Sequence, residues 1–440
     1  MKQIKNNKIK QFAAKETKQI FRAPKGTHDI LPSDRPYWDR IEYVAADTAK
    51  IFNFGRIETP TMEFSDLFSK TNEDTEMVRK EMYSLKTRGG DLLALRPEYT
   101  APKARAYLEH GLSRLGQPQR LWNMGPVFRY DRPQLGRYRQ FNQIDFDVIG
   151  GSNDPIYDAE VILIFTRILQ ELKISDTVLK INSIGCRVCR PLYKKQLQNF
   201  YKNSRKKLCS DCDRRLDTNP LRLLDCKSEE CKKLREDTPN FLDKICANCS
   251  SHFQSVLEHL DELKISYVLD NHLVRGLDYY SKTVFEIFAA GKGSEVGSLL
   301  GGGRYDYLME FLGGHLTPAV GGALGVERII ALMKAREMNI SPRTIKKVFV
   351  AYTGESAKKK VLGLAKELML AGIPIVEAFS RDSLKAQLKI ADKEGVLLSL
   401  ILGQKEIYEK TVIVRDMRTG LQEAISLSKL FDEIKKRLRG

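Results

Sequence analysis

Four arginines, Arg129, Arg132, Arg137 and Arg139, crowd one short stretch between Phe128 and Gly150. A guanidinium presents a planar fork of donors that suits phosphate oxygens better than an ammonium does, so their density points to a phosphorylated substrate. The same stretch returns with apolar Phe141, Ile144, Phe146 and Val148 interleaved with Gln143, Asp145 and Asp147. Strand side chains alternate faces, so these three polar residues share one face and can line a polar floor. A surface ribbon with merely solvated charges is the plain alternative.

Further candidates lie elsewhere. Leu92-Leu93-Ala94-Leu95 reads as a strand that runs into Arg96-Pro97-Glu98-Tyr99-Thr100. Proline removes a ladder donor, which leaves Glu98 and Thr100 at a strand end where side chains meet a ligand. All eight cysteines fall between 186 and 260, as Cys186/Cys189, Cys209/Cys212, Cys226/Cys231 and Cys246/Cys249. In a reducing compartment such pairs suggest zinc more than disulfides. Cys209, Cys212, Cys226 and Cys231 form one candidate four-thiolate knuckle and the remaining pairs another; reduced thiols packed in a small helical insert are the other reading. Gly301-Gly302-Gly303 reads as a flexible turn that lets backbone approach a ligand.

The elements that must position these residues can be read in outline. The stretch 128–150 is two antiparallel strands joined by a long basic loop. Pro32-Ser33-Asp34 signals the start of an amphipathic helix through about Phe52, and Gly55–Pro60 reads as a strand stopped by proline. A helix follows Thr100 to about Gly111. Strands at 267–269 and 283–287 flank Leu273–Tyr280, and Pro318–Arg328 passes from a glycine-spaced strand into a helix. Pro342 and the basic run at Lys346 mark a linker. Beyond it, strands near 347–352, 373–377, 397–402 and 411–415 alternate with helices near 355–371 and 383–394, and a last helix spans about 427–438. That alternation predicts an α/β domain on a largely parallel sheet.

The 440 residues allow two or three domains, and 42% hydrophobic content supports a sizeable core. A formal net charge of +17 argues for a polyanionic partner, with nucleic acid foremost. Residues 1–20 are lysine-rich with few apolar anchors and read as a disordered basic extension. No window approaches eighteen consecutive apolar residues and the start lacks a signal-peptide core, which predicts a cytoplasmic chain.

Three separated stretches then agree with one family. Phe128-Arg129 with its loop resembles motif 2 of the class II aminoacyl-tRNA synthetases, and Gly325-Val326-Glu327-Arg328 resembles motif 3. The helix ending near Phe52 with Glu58-Thr59-Pro60 is similar to motif 1, the dimer-forming element. Leu273-Val274-Arg275-Gly276-Leu277-Asp278-Tyr279-Tyr280 and Gly301–Asp306 resemble the two signatures of the histidyl branch of that class. The resemblance covers residue 21 to the C-terminus.

It implies an α+β fold: an antiparallel catalytic sheet with flanking helices over 21–335, interrupted by a helical, cysteine-rich insertion at 186–260, and an α/β anticodon-binding domain at 344–440. It implies a homodimer that uses ATP with Mg2+ to join L-histidine to histidine tRNA. In the family's pattern Arg129 holds the α-phosphate, Arg275 approaches it, and Arg328 reaches the γ-phosphate. Glu98, Thr100 and Gln143 hold the substrate ammonium; Asp147 and Tyr280 bracket the imidazole with Tyr279 beside them; Gln134 meets the tRNA acceptor end. A synthetase-like regulatory subunit of histidine biosynthesis is the main alternative. It lacks the anticodon-binding domain that this chain's last segment resembles. A general RNA-binding protein without activity is the third.

Overall fold

The computed structural model describes residues 21–71, 75, 77–340 and 346–439. The basic extension 1–20 and most of the 342–346 linker lie outside them. Two compact units emerge, 1–340 and 341–440.

The first unit is built on an eight-stranded sheet. Across it the strands run Gly55–Arg56, Gln119–Phe128, Gln140–Ile149, Ala319–Gly325, Ser298–Arg304, Ser281–Ala289, Thr177–Ser183 and Tyr267–Leu269. The five inner pairings are antiparallel, and the two edge pairings are parallel. The basic hairpin is in full register from Gln119 opposite Ile149 to Phe128 opposite Gln140. Its period-2 pattern sorts the faces as expected. Ile144, Phe146 and Val148 enter a core with Ile41 and Val44 of helix Arg35–Ile51, Ile162 and Phe165 of helix Ile156–Glu171, and Ile329 and Met333 of helix Val326–Ala335. Gln143, Asp145 and Asp147 face the other way.

Several local expectations change. Gly301–Gly303 is no turn; it lies buried within strand Ser298–Arg304. A Cβ on Gly301 would collide with the Arg275 guanidinium, and one on Gly302 with the carbonyl of Gly321. Glycine is there for close approach of neighbours, not for bending. The strand at Gly55 is only two residues long, and the Ile57 amide still donates to the Trp122 carbonyl at 2.9 Å. Asp34 precedes helix Arg35–Ile51 without a side-chain cap and instead pairs with Lys334 at 2.5 Å. Thr100 is the first residue of helix Thr100–Glu109, so the candidates around Glu98 sit at a helix start as well as beyond a strand.

A small second sheet, Met62–Phe64, Leu92–Leu95 and Tyr83–Lys86, stands beside the large one. The 186–260 stretch folds as short helices, among them Cys189–Lys202, Ser210–Thr218, Glu229–Arg235 and Ala247–Glu262.

The second unit has a five-stranded sheet ordered Ile375–Glu377, Val348–Tyr352, Leu398–Leu402, Thr411–Asp416, Gln422–Ser426. Its first two pairings are parallel and its last two antiparallel, so the sheet is mixed rather than largely parallel. The reversal is local: Asp416 accepts the amides of Arg418 and Thr419, and Gly420 takes φ +76°, which turns the chain straight back into the strand Gln422–Ser426. That strand and the short helix Gln404–Glu409 were not legible in the pattern.

Candidate active site

The polar face of the hairpin forms the floor of a buried site with two distinct halves. One half is acidic and aromatic. Glu98 ends the turn after Pro97, and its carboxylate accepts the amides of Thr100 at 2.5 Å and Ala101 at 3.0 Å, where the helix start favours negative charge. Burial pushes Glu98 above the ordinary carboxylate range, opposed by those amides and by Arg129. The Tyr279 hydroxyl lies 3.4 Å from the same carboxylate. Tyr279, Tyr280 and Tyr305 pack as one cluster with ring centroids 4.8 to 6.5 Å apart. Tyr305 donates to Asp147 at 2.5 Å, and the ammonium of Lys103 donates to the other Asp147 oxygen.

Between them sits Asp145. It is buried, its Oδ2 has no hydrogen-bond partner among the described residues, and its pKa is pushed up to about 7 by burial, then by Asp147 and Glu98 against the pull of Lys103 and Arg129. Gln143 Oε1 is also buried and unpartnered, as are both side-chain polar atoms of Asn123, directly opposite Asp145 in the hairpin. Buried polar atoms without partners are costly, so this floor is built to meet a polar ligand or ordered water.

The other half is cationic. Arg129 leaves the first hairpin strand, donates from Nε to the carbonyl of Pro97 at 2.8 Å, and lies 5.4 Å over the Phe141 ring. That pins the inner edge of the guanidinium and leaves its outer donors free for a ligand. Glu327 accepts both the backbone and side-chain amides of Asn142, which locks the start of helix Val326–Ala335 to the second hairpin strand. This lock places Arg328, whose Nε donates to Gly136 at the loop tip at 3.2 Å. Burial first, then Arg137 and Arg129, push Arg328 down to about 10. It stays protonated at neutral pH, but the repulsion is real. Burial opposes the charge of Arg275 too, yet Glu286 and Tyr280 outweigh it and raise its pKa; it pairs with Glu286 and lies 5.4 Å over the Tyr280 ring.

The structure thus brings Glu98, Thr100, Arg129, Asp147, Arg275, Tyr279, Tyr280 and Arg328 into one neighbourhood, with Gln143 on its floor. Gln134 stands apart, exposed at the tip of the basic loop, where its backbone bridges to Arg137. Tyr99 packs against the floor beside Gly125, the cross-strand partner of Gln143, and its hydroxyl accepts from Arg96. Arg304 and Asp306, for all their place in a glycine-rich signature, are structural, with Arg304 buried between Asp158, Asn153 and Asp306. Lys103, Tyr305 and Glu286 were not singled out from sequence. The signal for Lys103 was its position three residues after Thr100, one helical turn along the same face. The eight cysteines also gather as two groups, Cys186/Cys189/Cys246/Cys249 and Cys209/Cys212/Cys226/Cys231.

An antiparallel sheet bearing motif 2, motif 3 and a cation cluster beside an acidic pocket defines a class II aminoacyl-tRNA synthetase catalytic unit. Residues 26–329 match the family described as histidyl-tRNA synthetase, and residues 347–437 match the anticodon binding domain. A histidine–tRNA ligase of Dehalococcoides mccartyi is 45% identical over 420 residues, spanning 95% of this chain and all of that protein. Among solved structures, the apo histidyl-tRNA synthetase of S. aureus superposes with a TM-score of 0.78 at 32% identity, over 94% of this chain and 99% of that one. Histidyl-tRNA synthetase from Nostoc sp. follows at 0.64 and 25%, over 95% and 100%. The chain belongs to the histidyl-tRNA synthetase family.

Proposed function

We propose that this chain activates L-histidine with ATP and transfers the histidyl group to the 3′ end of histidine tRNA, releasing diphosphate and AMP. The observation that carries it is the junction of two opposite environments on one floor. Arg129, Arg137 and Arg275 each disfavour the charge of Arg328, so this half suits a polyanion, while Glu98, Asp145 and the tyrosines offer acceptors for a cationic amino acid. A carboxylate oxygen of histidine attacks the α-phosphorus, and the bond to diphosphate breaks. A ribose hydroxyl of the terminal adenosine then attacks the carbonyl carbon and displaces AMP. No protein nucleophile is required; the protein orients the reactants and stabilises charge on the phosphoryl oxygens.

In this reading Arg129 and Arg275 hold the α-phosphate and Arg328 the γ-phosphate. Glu98, Thr100 and Gln143 receive the ammonium. Asp147 already accepts from Lys103 and Tyr305, but a carboxylate has about four acceptor positions, so an imidazole N–H from the Tyr280 side can still join it. Mg2+ takes oxygen ligands, which the ATP phosphates would supply and whose charge it would neutralise; Glu286 is already the partner of Arg275 and serves to hold that guanidinium. Gln134 and its arginine neighbours face the tRNA acceptor end, and the 344–440 unit reads the anticodon.

The chain also works as a homodimer in this reading. Cross-strand register puts Met62, Phe64, Leu85, Leu93 and Leu95 on one face of the small sheet, and Met62 and Phe64 are more than half exposed. Such an apolar face is suited to a second copy. No described helix is long and apolar enough to cross a membrane; ATP and tRNA as substrates place the work in the cytoplasm. ATP–diphosphate exchange with each amino acid in turn tests the function. Histidine alone should support exchange; exchange with another amino acid, or with none, overturns it.

A further inference from the structure

The two cysteine groups lie outside the adenylate chemistry, yet their geometry is specific. Each sets four sulfurs within 4.8 Å of one another. In the first, Cys186 and Cys189 are 3.7 Å apart, and Cys186–Cys246 and Cys189–Cys249 are each 3.9 Å; in the second, Cys209 and Cys226 are 3.7 Å apart. All eight are free thiols rather than disulfides. A tetrahedral ion with metal–sulfur bonds of about 2.3 Å holds its sulfurs about 3.8 Å apart. The spacing therefore matches one small ion per group. Backbone amides also point at sulfur, Cys246 to Cys189 at 3.1 Å and Cys209 to Cys231 at 3.4 Å, the outer-shell contacts that orient sulfur ligands around a metal.

What these groups hold together bears on the site. Cys212 and Cys226 bracket a segment that carries Asn219 and Arg222. Asn219 donates to the Asp278 carboxylate at 2.9 Å, and Arg222 to the carbonyl of Arg275 at 3.1 Å. Next to Cys189, Arg190 donates to the carbonyl of Asp278 at 3.2 Å. The apolar core around Cys189, Cys212, Cys226 and Cys249 continues without a break through Leu273, Tyr279 and Tyr280. Both cysteine groups thus brace the loop that presents Arg275, Tyr279 and Tyr280.

We propose that the insertion binds two zinc ions, each in a closed four-thiolate site, and that these structural metals hold the 273–280 loop in its substrate-binding shape. The second half rests on the reading of that loop as part of the histidine site; the first does not. Four protein ligands leave no open position, so the ions are structural, and their binding adds folding energy to that of the insertion's apolar core.

Elemental analysis of the purified full-length chain tests the metal directly. The expected result is two zinc ions per chain, both released when a mercurial reagent titrates the thiols, as read by a zinc-sensitive dye. A folded chain without metal, or one holding iron, overturns the proposal whatever the enzyme's activity. Cys226→Ser should leave about one zinc, and an unchanged count also overturns it; should that variant fail to fold, the parent's metal count and mercurial release decide alone. Asn219→Ala keeps both metals and tests the coupling. It should raise KM for histidine roughly tenfold with KM for ATP changed less than about threefold. Unchanged histidine KM in a two-zinc Asn219→Ala enzyme shows that the insertion does not brace the site.

Discussion

Lys103 and Asp147 form an ion pair with side chains 0% and 1% exposed, in the middle of the proposed histidine pocket. Two charges so placed are held by each other and by Tyr305. Removing one partner leaves the other buried and unpaired, which typically costs roughly 3–5 kcal/mol. Asp147→Ala should lose stability of that order in urea unfolding; a loss below about 1 kcal/mol means the pair is not buried as described. The double variant Lys103→Met/Asp147→Asn removes both charges and should recover most of the stability. If Asp147 also reads the imidazole, the double variant keeps a histidine KM raised roughly tenfold or more while that for ATP moves little. Recovery of histidine KM together with stability would make Asp147 purely structural.

Arg129 is fixed at its inner edge by the Pro97 carbonyl, so in the proposed reading its outer donors are left to meet the phosphate. A lysine cannot serve both: its single ammonium would take the carbonyl or the phosphate, and it has no planar fork. Arg129→Lys should cut ATP–diphosphate exchange on the order of 100-fold or more. Exchange within about threefold of the parent sinks the assignment of Arg129 to the α-phosphate.

These residues also mark where sequence was informative. The hairpin was legible because its alternation is strict from Gln143 to Val148, and a one-residue slip would bury Gln143 and Asp147 in the apolar layer. The two cysteine groups were legible from spacing. Gly301–Gly303 was not, because only the tertiary neighbours Arg275 and Gly321 reveal why side chains are excluded there. Lys103 was passed over because a lone helical lysine normally faces water; its burial follows from Asp147, 44 positions away. Strand direction in the second unit was equally hidden, since Val412 and Val414 would read the same in a parallel or an antiparallel pairing.

Asp145 carries a pH signature. Its pKa is raised from 3.8 to about 7 in the fold, chiefly by burial. For a carboxylate raised on folding, the folded state binds the proton more tightly, so stability is fully present below about pH 4 and falls as pH climbs through about 7. Asp145→Asn removes that titration. Compared with the parent, the variant should gain relative stability between pH 4 and pH 8, by at most about 4 kcal/mol at the upper end. Urea midpoints across this window measure it, and a difference independent of pH would show that Asp145 is ionised throughout in the folded chain.

The two units should divide the labour. The described residues within 1–340 and within 341–440 each form a compact unit, and the candidate site residues all lie in the first. In the second, a surface recess is lined by Arg381, Lys389 and Lys393 with one acid, Asp392, beside Ala386 and Ile390; the cations outnumber the acid and offer phosphate contacts around an apolar patch. Phosphate contacts supply affinity for RNA and release counterions as they form. Deleting 341–440 should therefore leave ATP–diphosphate exchange largely intact while tRNA charging falls by at least tenfold, a loss set by phosphate and base contacts that the catalytic unit does not make. Arg381→Glu/Lys389→Glu in the full chain should raise KM for tRNA without changing that for histidine, and the parent's charging should weaken steeply between low and moderate salt. If the truncated chain, shown folded by circular dichroism, charges tRNA as well as the parent, the second unit is not an anticodon reader. A charge-reversed chain with unaltered tRNA KM places the contact elsewhere on that unit.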